Sequence, residues 1–172
     1  SHCQDDDAII IIDEDVPTPS TNLVFSASPE LTAQWAETGS TLYAADRPTN
    51  GIDFFKIEYA TSDVDGNRVD ASGLLAIPQG LNEVPLAVVH QQTVLNADQV
   101  PSTLQGANNV DIGAQALAAT GVAVVMPDYL GFGSSADLAH PYQHAATYGR
   151  NGYDMLVAVR EFLEERELVV AD

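Results

Sequence analysis

The residues capable of chemistry gather in three stretches of the 172-residue chain. The longest is Gly121–Ser135, GVAVVMPDYLGFGSS, in which Asp128 and Tyr129 precede a glycine-rich turn ending in Ser134 and Ser135. The second is His90-Gln91-Gln92-Thr93, and the third holds His140 and His144. Histidine exchanges protons near neutral pH, so His140 and His144 are candidate general bases. His90, expected at a buried strand end, reads either as a satisfied polar residue or as part of the loop that follows it. Ser134 reads as a turn residue that hydrogen-bonds its own backbone. Gly131–Ser135 has neither the dinucleotide-binding spacing nor a phosphate-loop lysine, which argues against a nucleotide site. Asp63, Asp65 and Gly66 are spaced like the start of a calcium loop, but the later ligands are missing and the segment reads as a turn. No histidine and carboxylate pair has metal-ligand spacing, so no metal site is expected.

These residues need elements to position them. Val122–Met126 is a short β-branched and apolar run bounded by turn signals, the pattern of a strand buried on both faces. A buried parallel strand that empties into a glycine-rich loop is how open α/β sheets form ligand crevices. Upstream, Asp53–Thr61 alternates and Arg68–Pro78 follows it across the turn DVDGN, which predicts an antiparallel hairpin. Pro85–His90 is a third, short apolar strand, followed by a long polar loop, Gln91–Gln105. Ala107–Thr120 carries Val110, Ala114, Leu117 and Ala118 at helical spacing, with Gly121 in the C′ position. Ser28-Pro29 opens a helix to about Glu37, with Leu31 and Trp35 on one core-facing stripe. Ala145–Glu167 is a long amphipathic helix with Met155, Leu156, Val159, Phe162 and Leu163 inward. The order strand, helix, strand implies a parallel pair with a right-handed crossover.

Residues 1–21 read as an acidic tether: Asp5-Asp6-Asp7 and Asp13-Glu14-Asp15 flank Ala8–Ile12, and Pro17 and Pro19 follow. Residues 22–172 read as one domain, long enough to bury a core. The net charge of −19 repels nucleic acid phosphates and anionic membranes, so neither is an expected partner. Cys3 is the only cysteine, which excludes an internal disulfide. If Ser1-His2 is foreign to the native chain, a leading Cys3 before an acidic tether resembles a bacterial lipoprotein. The expected location is then extracytoplasmic, secreted or lipid-anchored through Cys3; otherwise Cys3 is a chance exposed thiol.

Tyr59–Pro78, Val88–Ser102, Gly121–Ser135, His140-Pro141-Tyr142 and Tyr153-Asp154 together resemble, in order and spacing, the secretory lipase and esterase branch of the α/β-hydrolases. The resemblance covers about Ile57 to the carboxyl end. It implies an α/β fold, the amino-terminal half of an α/β-hydrolase sheet, in which an antiparallel hairpin leads into parallel strands with crossover helices. It also implies carboxylic ester hydrolysis of a small-molecule or lipid ester by a serine hydrolase, with no cofactor. The oxyanion loop would be Gln91, Gln92 and Thr93, just after the third strand, and His90, Asp128 and Tyr129 would border the substrate crevice. Relatives carry His-Gly before the threonine where this chain has Gln91-Gln92. Either the missing glycine restricts the loop, or a glutamine side chain supplies the donor. The chain contains no Gly-x-Ser-x-Gly. In the family that elbow follows the helix matching Ala145–Glu167, so the expectation is a chain that stops before its nucleophile, with serine, acid and histidine in a carboxyl-terminal half. Without the next strand, Pro85–His90 would present an unpaired apolar edge. The alternative is a non-catalytic surface lipoprotein domain, or a degenerate enzyme, on the same scaffold.

Overall fold

The computed structural model describes residues 21–39, 50–90, 93, 94, 96–103 and 112–171. The tether up to residue 20, Cys3 and Val110 lie outside these. A five-stranded mixed sheet forms the centre, in the order β1 (Thr21–Ala27), β2 (Ile52–Ser62), β3 (Arg68–Pro78), β6 (Ala123–Pro127) and β5 (Leu86–Val88). The predicted hairpin is there: β2 and β3 pair antiparallel from Ile52↔Pro78 to Ser62↔Arg68. Its turn is tied by Asp63, whose Oδ1 accepts the N–H groups of Asp65 and Asn67 at 2.9 and 2.8 Å. The Asn67 side-chain amide, which donates to Oδ2 at 3.0 Å, and then these backbone bonds hold the Asp63 carboxyl below its ordinary pKa. The segment is therefore a side-chain-locked turn, in agreement with its sequence.

All five residues of β6 are buried. The strand pairs antiparallel with β3 and parallel with β5, Leu86↔Ala123 to Val88↔Val125. Helix α2 (Ile112–Ala119) connects β5 to β6 and ends at Gly121, which has φ +105°. Ala114 and Ala118 are buried as predicted, whereas Leu117 faces solvent.

Two apolar layers cover the sheet. On one face α3 (Ala145–Glu165) lays Met155, Val159, Phe162 and Leu163 against Phe55, Ile57, Leu75 and Val125. On the other, Ala114 and Ala118 of α2 meet Phe54, Leu74 and Val124, with Leu31 and Trp35 of α1 (Pro29–Gly39) beside them. Helix α1 begins as its sequence predicts, with the Ser28 hydroxyl accepting the Leu31 N–H at 3.3 Å.

Three features differ from the sequence-based expectation. Thr21, assigned to the tether by composition, is the first residue of β1, which pairs antiparallel with β2. After α3 the chain turns through Glu167, at φ +57°, into β7 (Val169–Val170). Strand β7 pairs parallel with β4 (Glu83–Val84), and the Val169 and Ala171 N–H groups bond the carbonyls of Asn82 and Val84 at 2.9 Å. That ladder lies ahead of Pro85; among the described residues β5 pairs with β6 alone and forms the edge of the five-stranded sheet, as the sequence predicts for the third strand. The strand itself is shorter than Pro85–His90, so His90 stands beyond its end and is exposed rather than buried. No helix among the described residues is long and apolar enough to cross a membrane.

Candidate functional site

Strands β5 and β6 run parallel and release their loops at the same end of the sheet, where open α/β folds bind ligands. At that end Asp128 continues β6. It is fully buried and its carboxylate is spoken for: Oδ2 accepts the Ser72 hydroxyl at 2.6 Å and Oδ1 accepts the Ser102 N–H at 2.8 Å. Burial pushes its pKa up, against these hydrogen bonds and the positive field of Lys56. Asp128 therefore stands behind the crevice that its sequence position suggested it would border. From there it joins β3, the turn Pro101–Thr103 and the strand end.

The chain then makes two sharp reversals. Tyr129 adopts φ +67°, a left-handed conformation uncommon for a bulky residue. Gly131 and Gly133 follow at φ +86° and +56°. A Cβ on Gly131 would lie 2.7 Å from the backbone nitrogen and Cα of His140, so glycine lets the turn close on the His140 loop. The Ser134 hydroxyl donates to Glu58 Oε1 at 2.6 Å, and its N–H donates to Ser72 Oγ at 2.9 Å. This corrects the reading of Ser134 as bonded to its own backbone. Ser135 is the residue that does so, through Phe132 O at 2.9 Å. With its hydroxyl held by a carboxylate that also accepts Lys56 at 2.9 Å, Ser134 has a structural role.

The loops enclose a half-open cavity of about 270 Å³. Thr93 and Val94 line it. Tyr129 and Phe132 from the β6 loop line it too, with His140, Tyr142, Gln143 and Tyr148. The His90 ring stacks on Tyr129 with centroids 6.0 Å apart, and His90 Nδ1 is hydrogen-bonded to the Tyr129 hydroxyl. Of the sequence-predicted site residues, Thr93 and Tyr129 meet at the cavity and His90 supports Tyr129 from outside. Asp128 lies behind, and Gln91 and Gln92 lie outside the described residues.

The two candidate bases are otherwise engaged. His140 Nδ1 donates to the Leu130 carbonyl at 2.6 Å, which leaves Nε2 to accept the Tyr148 hydroxyl at 3.0 Å. His144 Nδ1 bonds the Thr147 hydroxyl at 2.6 Å at the start of α3. Burial, and then Tyr148, push the Tyr129 phenol up to about 12, so it is a neutral hydrogen-bonding group near pH 7. Phe132 and Tyr148 were not singled out by sequence reasoning. The density of aromatic residues between Tyr129 and Tyr148 is the signal that points to them. Among the described residues no group of three or more His, Cys, Asp or Glu side chains could hold a metal ion.

No protein-family profile and no curated protein sequence matches the chain. Solved structures do. The chain is similar to a candidate hydrolase from Legionella pneumophila, with TM-score 0.77 and 28% identity over 88% of this chain and 41% of that one. It is also similar to a ligand-bound form of the rice cell wall degrading esterase LipA from Xanthomonas oryzae, with TM-score 0.74 and 26% identity over 88% of this chain and 39% of that one. The chain thus spans about two fifths of the length of the structures it matches. With its antiparallel hairpin, its parallel β5–β6 pair and helices on both faces, the chain is part of an α/β-hydrolase sheet, a hydrolase-like scaffold.

Proposed function

We propose that this chain supplies the oxyanion-loop side of a carboxylic ester hydrolase, with the serine nucleophile, its acid and its histidine carried by a carboxyl-terminal portion of the same protein. The observation that carries the reading is the cavity at the carboxyl ends of β5 and β6, which Thr93 of the β5 loop and Tyr129 of the β6 loop both line. It sits on a scaffold shared with a hydrolase and an esterase. Ester cleavage passes through a tetrahedral oxyanion, and donors fixed in advance around that oxygen lower the barrier most. Residues 90–93 follow the parallel strand that borders the cavity, which is where such donors are useful. Acyl transfer by a serine, a histidine and a carboxylate needs no cofactor. The substrate is a small-molecule or lipid ester, and nucleic acid is no partner of a chain with net charge −19. An extracytoplasmic location, with Cys3 as a lipid-bearing residue, goes with this reading and is checked by mass spectrometry of the membrane fraction.

The test uses the complete polypeptide. Its intact mass is measured, it is labelled with a fluorophosphonate serine probe, and turnover of p-nitrophenyl butyrate is followed. A labelled serine with turnover that falls at least tenfold in a Gln92→Ala, Thr93→Val variant supports the reading. A loss of less than about threefold means residues 91–93 are not the oxyanion loop, since removing one such donor costs about a hundredfold or more. An unlabelled, inactive protein overturns the enzyme reading in favour of a binding domain. The Gln91-Gln92 pair, where relatives carry His-Gly, would suit that outcome.

A further inference from the structure

We infer that the cavity between the β5 and β6 loops is a subsite for a single aromatic ring of the substrate. The word substrate rests on the ester-hydrolase reading; the preference for an aromatic ring rests on the cavity alone.

The wall of the cavity is a connected set of rings. Tyr129 and Tyr148 lie 4.6 Å apart at 54°, and His140 and Tyr148 5.9 Å apart at 41°. Phe132 and His140 lie 4.7 Å apart at 52°, and His140 and Tyr142 6.2 Å apart at 54°. These are tilted contacts, the geometry in which the electron-poor edge of one ring meets the electron-rich face of another. A guest ring can extend the same pattern. Among the described residues no carboxylate, lysine or arginine lines the cavity, so none of them selects for a charged group.

The Tyr129 and Tyr148 hydroxyls and both ring nitrogens of His140 are occupied within the protein. The Tyr129 hydroxyl is bonded to His90, and the Tyr148 hydroxyl to His140 Nε2 and the Gln143 N–H. His140 Nδ1 is bonded to the Leu130 carbonyl. What these residues offer a guest is mainly ring surface. At about 270 Å³ and open on one side, the space exceeds the roughly 150 Å³ that encloses a benzene molecule in a protein interior, and it fits one ring with a short substituent. A rigid ring also loses less conformational freedom on binding than a flexible acyl chain of similar size.

Backbone strain marks the same place. Among the described residues three non-glycine residues have positive φ: Tyr129, Gln143 and Glu167. Glu167 ends a helix, and the other two line this cavity. Strained backbone of this kind persists where the surroundings fix it, and it gathers at ligand sites. Here it sets the Tyr129 backbone, while the close approach at Gly131 holds the His140 backbone against the turn.

The test again uses the complete polypeptide. Ethyl 3-phenylpropanoate is compared with ethyl octanoate for a ring on the acyl side, and benzyl acetate with hexyl acetate for a ring on the alcohol side. A kcat/KM ratio above fivefold in favour of the aromatic ester in either arm supports the inference and says which side of the ester the cavity receives. Ratios below fivefold in both arms overturn it. Phe132→Leu and Tyr148→Leu should each reduce the favoured ratio at least threefold, and an unchanged ratio in both variants overturns the assignment to this cavity. If no ester is turned over, the ester reading fails by itself and binding decides the inference. Benzyl alcohol and cyclohexylmethanol are titrated while the ring resonances of Phe132 and Tyr148 are followed by NMR. Tighter binding of benzyl alcohol by fivefold or more, with shifts at both residues, supports the aromatic subsite. Equal affinity, or no shift at either residue, overturns it.

Discussion

Asp128 Oδ1 accepts the Ser102 N–H at 2.8 Å, so the end of β6 and the turn Pro101–Thr103 are fastened to each other inside the protein. The same carboxylate holds Ser72 on β3, and Ser72 Oγ in turn accepts the N–H of Ser134 in the Gly131–Ser135 turn. One buried side chain therefore registers the loops around the cavity.

The first prediction concerns that carboxylate. Asp128→Ala leaves the Ser102 N–H without its acceptor and should cost about 2–4 kcal/mol, because a buried unpaired donor loses its hydration with no return. Asp128→Asn keeps an acceptor for Ser102 and should cost about half as much or less. The pH dependence has a definite sign. Burial raises the Asp128 pKa above its ordinary value of 3.8, so the folded state holds the proton to higher pH than the unfolded state. Its contribution is fully present below pH 3.8 and is lost as pH rises through the raised value. The difference in urea-unfolding stability between the protein and its Asp128→Asn variant should therefore shrink as pH rises from 3 to 7. A difference that grows over that range would refute the assignment.

The second prediction concerns Gly133. Its φ is +56°, and a Cβ there would stand 2.1 Å from Ser72 Oγ and 2.3 Å from Asp128 Oδ2. Gly133→Ala must therefore displace the pair that holds the loops. Gly66 provides the control, since its φ of +85° is equally left-handed but nothing lies within 4 Å of the added carbon. Gly66→Ala should cost about 1–2 kcal/mol for the backbone alone. Gly133→Ala should cost at least 1 kcal/mol more, read from paired thermal melts, and equal costs would mean that the Ser72–Asp128 pair yields freely.

Much of this fold is legible because its signals are local. The Asp53–Thr61 alternation, the DVDGN turn, the Ser28-Pro29 helix start and the β-branched run before Pro127 each fix an element from their own residues. Strand β1 escapes because Leu23 and Val24 are both exposed and a bulge interrupts its register with β2, so no alternation survives to be read. Strands β4 and β7 are two residues each and exist only through their pairing. The site divides in the same way. Thr93 and Tyr129 follow strands and their placement can be anticipated. That Asp128 is sealed behind the cavity depends on Ser72 and Ser102, each 26 or more residues away in sequence. No local pattern announces that burial.

The third prediction concerns Tyr129. A phenol held at about 12 keeps its proton in the folded state while an unfolded tyrosine, near 10, has lost it. Its contribution to stability is therefore present below pH 10 and is lost between 10 and about 12. Tyr129→Phe has no proton to lose there. The variant should be slightly less stable at pH 8, by about 0.5–1.5 kcal/mol for the lost bond to His90. It should then lose less stability than the unaltered protein between pH 10 and 12, as followed by urea unfolding. Parallel losses would show that Tyr129 ionises freely.

The fourth prediction separates a polar pair from the cost of breaking it. Tyr59 on β2 donates its hydroxyl to Asn151 Oδ1 on α3 at 2.7 Å, and both side chains are buried. Asn151 Nδ2 has no hydrogen-bond partner among the described residues, so this bond is made beside an unsatisfied donor. Burial, followed by the nearby negative charge of Asp128 and Asp154, pushes the Tyr59 phenol well above 10, which keeps it a donor throughout the physiological range. Asn151→Leu removes the acceptor and strands the hydroxyl, and should cost about 1–3 kcal/mol. Adding Tyr59→Phe removes the stranded group as well, so the double variant should recover at least half of that loss. It is helped by the absence of the unpaired amide donor. The double-mutant cycle of urea-unfolding free energies reads this coupling directly. Additive losses would mean that the hydroxyl finds water or another acceptor once Asn151 is gone, and that the pair contributes nothing to holding α3 on the sheet.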